Sequence, residues 1–146
     1  MNEYEHVEIL LVDDSALDAE LAIRGLKAHN LANNVVWVKD GEQALDYVYR
    51  RGKFEGRSGA GPRLILLDLK MPKVDGIEVT RTIKGDPKMR HIPIVIMTSS
   101  KEERDVSESY SLGANSYIVK PVDFEALANV ASQAGYYWLA INRAPG

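Results

Sequence analysis

The chain has 146 residues, the size of one ordinary domain of roughly 100–200 residues. With 45% hydrophobic and 27% charged residues it can bury a core, which excludes a disordered or fibrous chain. A formal charge of −3 and zero cysteines argue against a nucleic-acid or anionic-membrane binder, a disulfide framework, a thiol nucleophile and a Cys-ligated metal.

In chain order, the polar, acidic start Met1-Asn2-Glu3-Tyr4-Glu5-His6 is unlike a secretory leader. Ile9-Leu10-Leu11-Val12 follows as a first strand, and Ser15 caps a helix carrying Leu17, Leu21 and Leu26 near one face. Val35-Val36-Trp37-Val38 is a second strand, and Asp40-Gly41 opens a helix with Ala44, Leu45 and Val48. Arg57-Ser58-Gly59-Ala60-Gly61-Pro62 reads as a mobile connector before the third strand, Leu64-Ile65-Leu66-Leu67. Gly76 precedes a helix with Ile77 and Ile83, and Ile94-Val95-Ile96-Met97 is a fourth strand. After the Ser99-Ser100 cap region, Val106 and Tyr110 mark a fourth helix with few apolar anchors. Tyr117-Ile118-Val119 is the last strand, and Leu127, Val130, Ala131, Ala134, Trp138 and Ile141 trace a fifth, long amphipathic helix.

Apolar runs without alternation belong to strands buried on both faces, as in a parallel sheet. Five β–α units with short connections then predict an α/β fold, a doubly wound five-stranded parallel sheet of order 2-1-3-4-5 in a three-layer sandwich. One domain over residues 1–146 is expected, cytoplasmic, with no output domain and no membrane span, since no apolar run approaches the roughly 20 residues a spanning helix needs.

The strand ends carry the chemistry. Strand one runs into Asp13-Asp14, strand three into Asp68, strand four into Thr98 and strand five into Lys120. In an open parallel sheet, ligands bind outside the carboxyl ends of the strands, so this order gathers three carboxylates, a hydroxyl and an ammonium at one rim. Carboxylates so close repel unless a cation joins them, and Mg²⁺ prefers such hard oxygen donors. A carboxylate beside that ion can attack phosphorus, with Lys120 and Thr98 on the transferred oxygens, which would make an acyl phosphate on Asp68.

Asp13-Asp14, Asp68-Leu69-Lys70-Met71-Pro72 with Gly76, Thr98-Ser99, and Tyr117 followed by Lys120-Pro121 together resemble the receiver domains of two-component response regulators. The resemblance runs from the first strand to the last helix, and implies a flavodoxin-like (βα)5 fold. It implies Asp68 as phosphoacceptor, with Thr98 and Lys120 assisting. Asp14 would bind Mg²⁺ directly (Mn²⁺ can substitute), Asp13 mostly through water, and the backbone carbonyl of Lys70 would be a third protein ligand beside Asp68. It also implies a cis peptide between Lys120 and Pro121, and Tyr117 as the switch aromatic that follows Thr98 inward. Against that last role, aromatics are common in strands without any switch.

The longer connector and the Tyr136-Tyr137-Trp138-Leu139 segment resemble the small stand-alone receivers that partner phytochrome histidine kinases. The partners implied are a histidine kinase upstream and an effector or phosphotransfer protein downstream. Helix four, strand five and helix five are the expected readout surface. Tyr136 and Leu139, turned away from the core side of helix five, are candidates for a homodimer interface there. Lys70 and Ser100 stand beside the path of water to phosphorus, and Lys70 is expected to tune phosphoryl lifetime. His6, His29 and His91 show no metal-ligand spacing.

Other classes remain to be weighed. A haloacid-dehalogenase-type Mg²⁺-dependent phosphatase needs an acid two residues after its nucleophile, and Asp13-Asp14-Ser15-Ala16 has the wrong spacing. A flavin binder would place phosphate donors, not acids, in the first loop. A phosphorylation-independent interaction module on this fold would have a degraded acceptor site, whereas all five positions are present here. The protein is thus expected to be a switch capable of self-phosphorylation from a phosphodonor, not a metabolic enzyme.

Overall fold

The computed structural model describes residues 8–29, 34–58, 61–69, 71, 73–99 and 103–125. Their elements in chain order are β1 Glu8–Val12, α1 Ala16–Ala28, β2 Asn34–Val38, α2 Gly41–Tyr49, β3 Leu64–Leu67, α3 Gly76–Lys84, β4 Ile94–Thr98, α4 Glu103–Ser111 and β5 Ser116–Val119. The strands pair in parallel in the order β2-β1-β3-β4-β5, as the sequence predicts. The fifth helix expected from Leu127 onward lies outside the described residues, together with Tyr136 and Leu139.

Alternation along each buried run explains why these segments need apolar residues at every position. Leu10, Val12, Ile65, Leu67, Ile94 and Ile96 point to the face covered by α2 and α3. Their neighbours Ile9, Leu11, Leu64, Leu66, Val95 and Met97 point to the face covered by α1. The two clusters make a core on either side of one sheet, a pattern available only when both faces are covered.

Helix starts follow local chemistry. Ser15 Oγ accepts the Asp18 N–H at 3.2 Å, Asp40 Oδ1 the Gln43 N–H at 2.8 Å, and Asp75 Oδ1 the Glu78 N–H at 3.0 Å. Each satisfies an amide that the first helical turn leaves without a partner.

Two helices differ in phase from the sequence reading. On α1 the buried residues are Ala19, Ala22 and Leu26, while Leu17 and Leu21 are 66% and 54% exposed. Small alanines let the helix lie close on the sheet, so the larger leucines are turned outward. On α4 the buried positions are Asp105 and Ser109, with Val106 half-buried and Tyr110 48% exposed. The underside of α4 is therefore polar, where the sequence predicts Val106 and Tyr110 as anchors.

The connector before β3 is held at its described end. A short 3-10 turn, Gly52–Phe54, follows α2. Beyond it, Arg57 donates from Nε to the Tyr47 carbonyl at 3.0 Å and lies 4.5 Å from the centre of the Tyr47 ring. Among the described residues, no helix is long and apolar enough to cross a membrane.

Candidate functional site

β1 and β3 are neighbours with Val12 opposite Leu67, so the residues that follow, Asp13 and Asp68, leave the sheet side by side. Backbone bonds hold both tips: the Asp68 N–H donates to the Val12 carbonyl at 3.0 Å, and the Asp13 N–H to the Val38 carbonyl at 3.1 Å. Lys120 follows β5, and its N–H donates to the Thr98 carbonyl at 2.8 Å. Thr98, fully buried, is the last residue of β4. Strand ends far apart in sequence thus form one rim.

The Lys120 ammonium binds three carboxylates at once: Asp13 Oδ2 at 2.8 Å, Asp18 Oδ2 at 2.9 Å and Asp68 Oδ2 at 3.2 Å. An ammonium has three N–H donors, so each is matched. Burial works against the charge of Lys120, but hydrogen bonds to Asp13 and Asp18 and the nearby charges of Asp68 and Asp13 outweigh it. Its pKa rises above the ordinary lysine value, and the group stays cationic at any physiological pH.

Asp13 is fully buried and Asp68 nearly so, while Asp14 is exposed. Carboxylate oxygens of Asp13, Asp14 and Asp68 lie within 4.8 Å of one another. With Asp18 added, four carboxylates gather about one ammonium, an excess of negative charge in a partly desolvated place. An all-oxygen, anionic donor set of this kind fits a hard divalent cation.

The acceptor loop is shaped by close backbone approach. A Cβ on Gly76 would lie 2.3 Å from the Asp68 carbonyl oxygen, and on Gly41 1.9 Å from that of Val74. Only glycine lets α3 and α2 begin this close to the loop after β3. Gly76 also donates its N–H to the Leu69 carbonyl at 3.0 Å. Lys73, at φ 62°, points its ammonium to 3.9 Å from Asp40 Oδ2.

The sequence-predicted residues meet as follows. Asp13, Asp14, Asp68 and Lys120 come together, with Thr98 at the same rim. The Lys120–Pro121 peptide is cis. Tyr117 is half-buried and packs against the cluster on the α2 and α3 face. Lys70 and Ser100 lie outside the described residues.

Asp18 is a site residue that the sequence reading does not single out. Its place in the first turn of α1, three residues past the Ser15 cap at the end of the sheet where the rim lies, is the available signal, since acids are favoured at a helix start. Trp37 enters the sequence reading only as a strand residue, yet its indole Nε1–H donates to the backbone carbonyl of Asp13 at 2.8 Å.

The sequence profile of the response regulator receiver domain matches residues 9–132. A probable methanogenesis regulatory protein of Methanothrix harundinacea, FilR2, is 41% identical over 138 residues, which are 94% of this chain and 87% of that protein. The solved bacteriophytochrome response regulator AtBRR is 47% identical with a TM-score of 0.82, covering 90% of this chain and 94% of that one. Response regulator Rcp1 of Synechocystis sp. is 37% identical over 131 residues, 90% of this chain and 88% of that protein. The crystal structure of its Mn²⁺-bound form has a TM-score of 0.76 at 35% identity, covering 96% of this chain and 99% of that one.

Proposed function

Because this chain belongs to the response regulator receiver domain family, a family of phosphorelay signalling, we propose that it accepts a phosphoryl group from a histidine kinase on the Asp68 carboxylate, with Mg²⁺ as the working cation. The observation that carries this reading is the meeting of Asp68 with both Lys120, at 3.2 Å, and the Asp13–Asp14 pair. In the transfer, an Asp68 oxygen bonds to phosphorus as the P–N bond to the donor imidazole breaks, and the imidazole leaves with a proton from solvent. The same chemistry with a small acyl phosphate would give self-phosphorylation.

Asp14 and Asp68, with the Lys70 carbonyl, are the proposed direct ligands of the cation, and Asp13 a ligand through water. When bound, the cation supplies charge neutralisation for the carboxylates and the phosphoryl oxygens. Lys120 already carries a fixed positive charge beside Asp68 and is positioned to exchange a carboxylate partner for a phosphoryl oxygen. Thr98 is assigned to a second phosphoryl oxygen through its hydroxyl, and Tyr117 to the response in β5 that follows. A phosphoryl group adds about −1.5 to −2 charge and strong acceptors to the rim, enough to draw such groups toward it.

The name of AtBRR and the Rcp1 likeness support a phytochrome-type histidine kinase as the donor, and a single-domain regulator that acts through a separate effector or phosphotransfer protein. Exposed Tyr110 on α4 supports self-association through α4, β5 and the segment that follows; light scattering that gives a monomer mass in both phosphorylation states would remove that part. The central test is intact mass after incubation with Mg²⁺ and acetyl phosphate. A gain of one phosphoryl group by the wild type and none by Asp68→Asn is expected; no gain by either overturns the proposal. A panel of purified kinases then separates a phytochrome donor from others by the rate of transfer to Asp68.

A further inference from the structure

The carbonyl of Asp13 sits one step past the end of a ladder. β1 and β2 pair through Val12 opposite Val38, and the Asp13 N–H still reaches the Val38 carbonyl. Beyond that point the chain after β2 leaves to begin α2: the Lys39 N–H turns to Gln43 Oε1 at 3.0 Å, and Asp40 becomes the cap of the helix. The Asp13 carbonyl is then met by a side chain, the Trp37 indole N–H at 2.8 Å. Trp37 itself is well held. It stands opposite Leu11, is half-buried against the α1-side core, and has the Lys39 ammonium 5.7 Å from its ring centre.

The bonded oxygen belongs to the peptide that joins Asp13 to Asp14. A peptide unit is planar, so fixing its oxygen also fixes the direction of the Asp14 N–H and Cα. The Asp13 side chain is already fixed, with Oδ1 accepting the Ser15 N–H at 3.0 Å and Oδ2 bound to Lys120. Asp14 has no such side-chain anchor: its carboxylate is exposed and makes no hydrogen bond or ion pair among the described residues. The peptide plane therefore sets where the Asp14 Cα stands, the point from which its carboxylate reaches out.

We propose that Trp37 is a positioning residue of the cation site, its indole N–H holding the Asp13–Asp14 peptide so that the Asp14 carboxylate faces Asp13 and Asp68. This inference rests on the reading of that cluster as a cation site. It assigns to the edge strand a part in metal affinity that no acid cluster by itself reveals.

The test is calorimetric titration of the whole chain with Mn²⁺ and Mg²⁺. The wild type is compared with Trp37→Phe and with protein carrying at position 37 the sulfur isostere of tryptophan, which keeps the shape and lacks the N–H. Both changes are expected to weaken cation binding about three- to ten-fold, the range of one net hydrogen bond. In a Trp138→Phe background the emission of Trp37 should shift on adding cation with the calorimetric midpoint, and Asp14→Asn should abolish that shift. A lower melting midpoint with wild-type cation affinity in both variants would make Trp37 merely structural and overturn the inference, leaving the proposed function intact. Weakening by Trp37→Phe but not by the isostere would assign the effect to packing and overturn it equally. A wild-type chain that binds neither cation would overturn the proposed function and this inference with it.

Discussion

The two ends of the sheet solve opposite electrostatic problems. At the carboxyl end, three carboxylates share the Lys120 ammonium, and a fourth, Asp14, is left facing water. At the amino end, charged and polar groups meet neutral partners: the Tyr47 hydroxyl donates to Glu8, its ring centre stands 4.9 Å from that of Phe54 in a near-perpendicular pair, and the Arg57 guanidinium lies 4.5 Å from the Tyr47 ring centre. Both ends use acids, aromatics and cations, but of the two, among the described residues, the carboxyl end is where several carboxylates crowd about one cation. The lesson is that a crowd of like charges marks the candidate site, and the amino end can hold the fold without sharing that crowding.

That contrast breaks first at Asp14. Asp14→Asn is expected to weaken divalent cation binding by at least about ten-fold, a loss seen even for groups one layer removed from a metal. In cation-free buffer the same change should raise the melting midpoint, because it removes a repelling charge from the cluster. A fall in the midpoint would mean the four acids are not under mutual repulsion. Calorimetry with and without Mn²⁺ measures both effects.

At the other end, Arg57→Ala should do the reverse. It removes a ring contact and a bond to the Tyr47 carbonyl, together worth about 1–2 kcal/mol of stability by denaturant unfolding. The rate of phosphoryl uptake by the folded protein should stay at the wild-type value, measured by intact mass against time. A matching loss of uptake would show that the amino end is coupled to the rim.

The smallest effect is expected at Tyr49, whose hydroxyl donates to Asp86 Oδ2 at 2.7 Å. Burial, then the hydrogen bond to Asp86 and its charge, lifts the phenol pKa from 10.0 to about 12. Because folding raises this pKa, the stabilisation is complete below about pH 10 and is lost as pH climbs through about 12. Tyr49→Phe should lower the melting midpoint by about 1–3 °C at neutral pH and flatten the alkaline part of the stability curve. An unchanged alkaline slope would show that the bond does not form in solution.

Much of this is legible in the amino-acid order, for a physical reason. A strand buried on both faces needs an uninterrupted apolar run, so the runs locate the sheet, and the first polar residue after each run marks the rim. Asp13, Asp68, Thr98 and Lys120 are found that way. Helix phase is harder. On α1 alanines and leucines compete for the sheet, and the close approach allowed by Ala19 and Ala22 leaves Leu17 and Leu21 outside. On α4 a carboxyl and a hydroxyl occupy the buried positions, which no hydrophobic stripe can signal. Trp37 is out of reach for another reason: its partner is a backbone carbonyl, and a backbone carbonyl leaves no mark in the sequence.

The polar underside of α4 has a practical consequence. Ser109 Oγ is sealed from water with no hydrogen-bond partner among the described residues. An unmet buried hydroxyl holds the helix above its lowest free energy, so one atom acts as a dial for local opening. Ser109→Ala should slow amide exchange across residues 103–111, and a bulkier polar side chain should quicken it, which would let the mobility of this helix be graded without altering any acid at the rim.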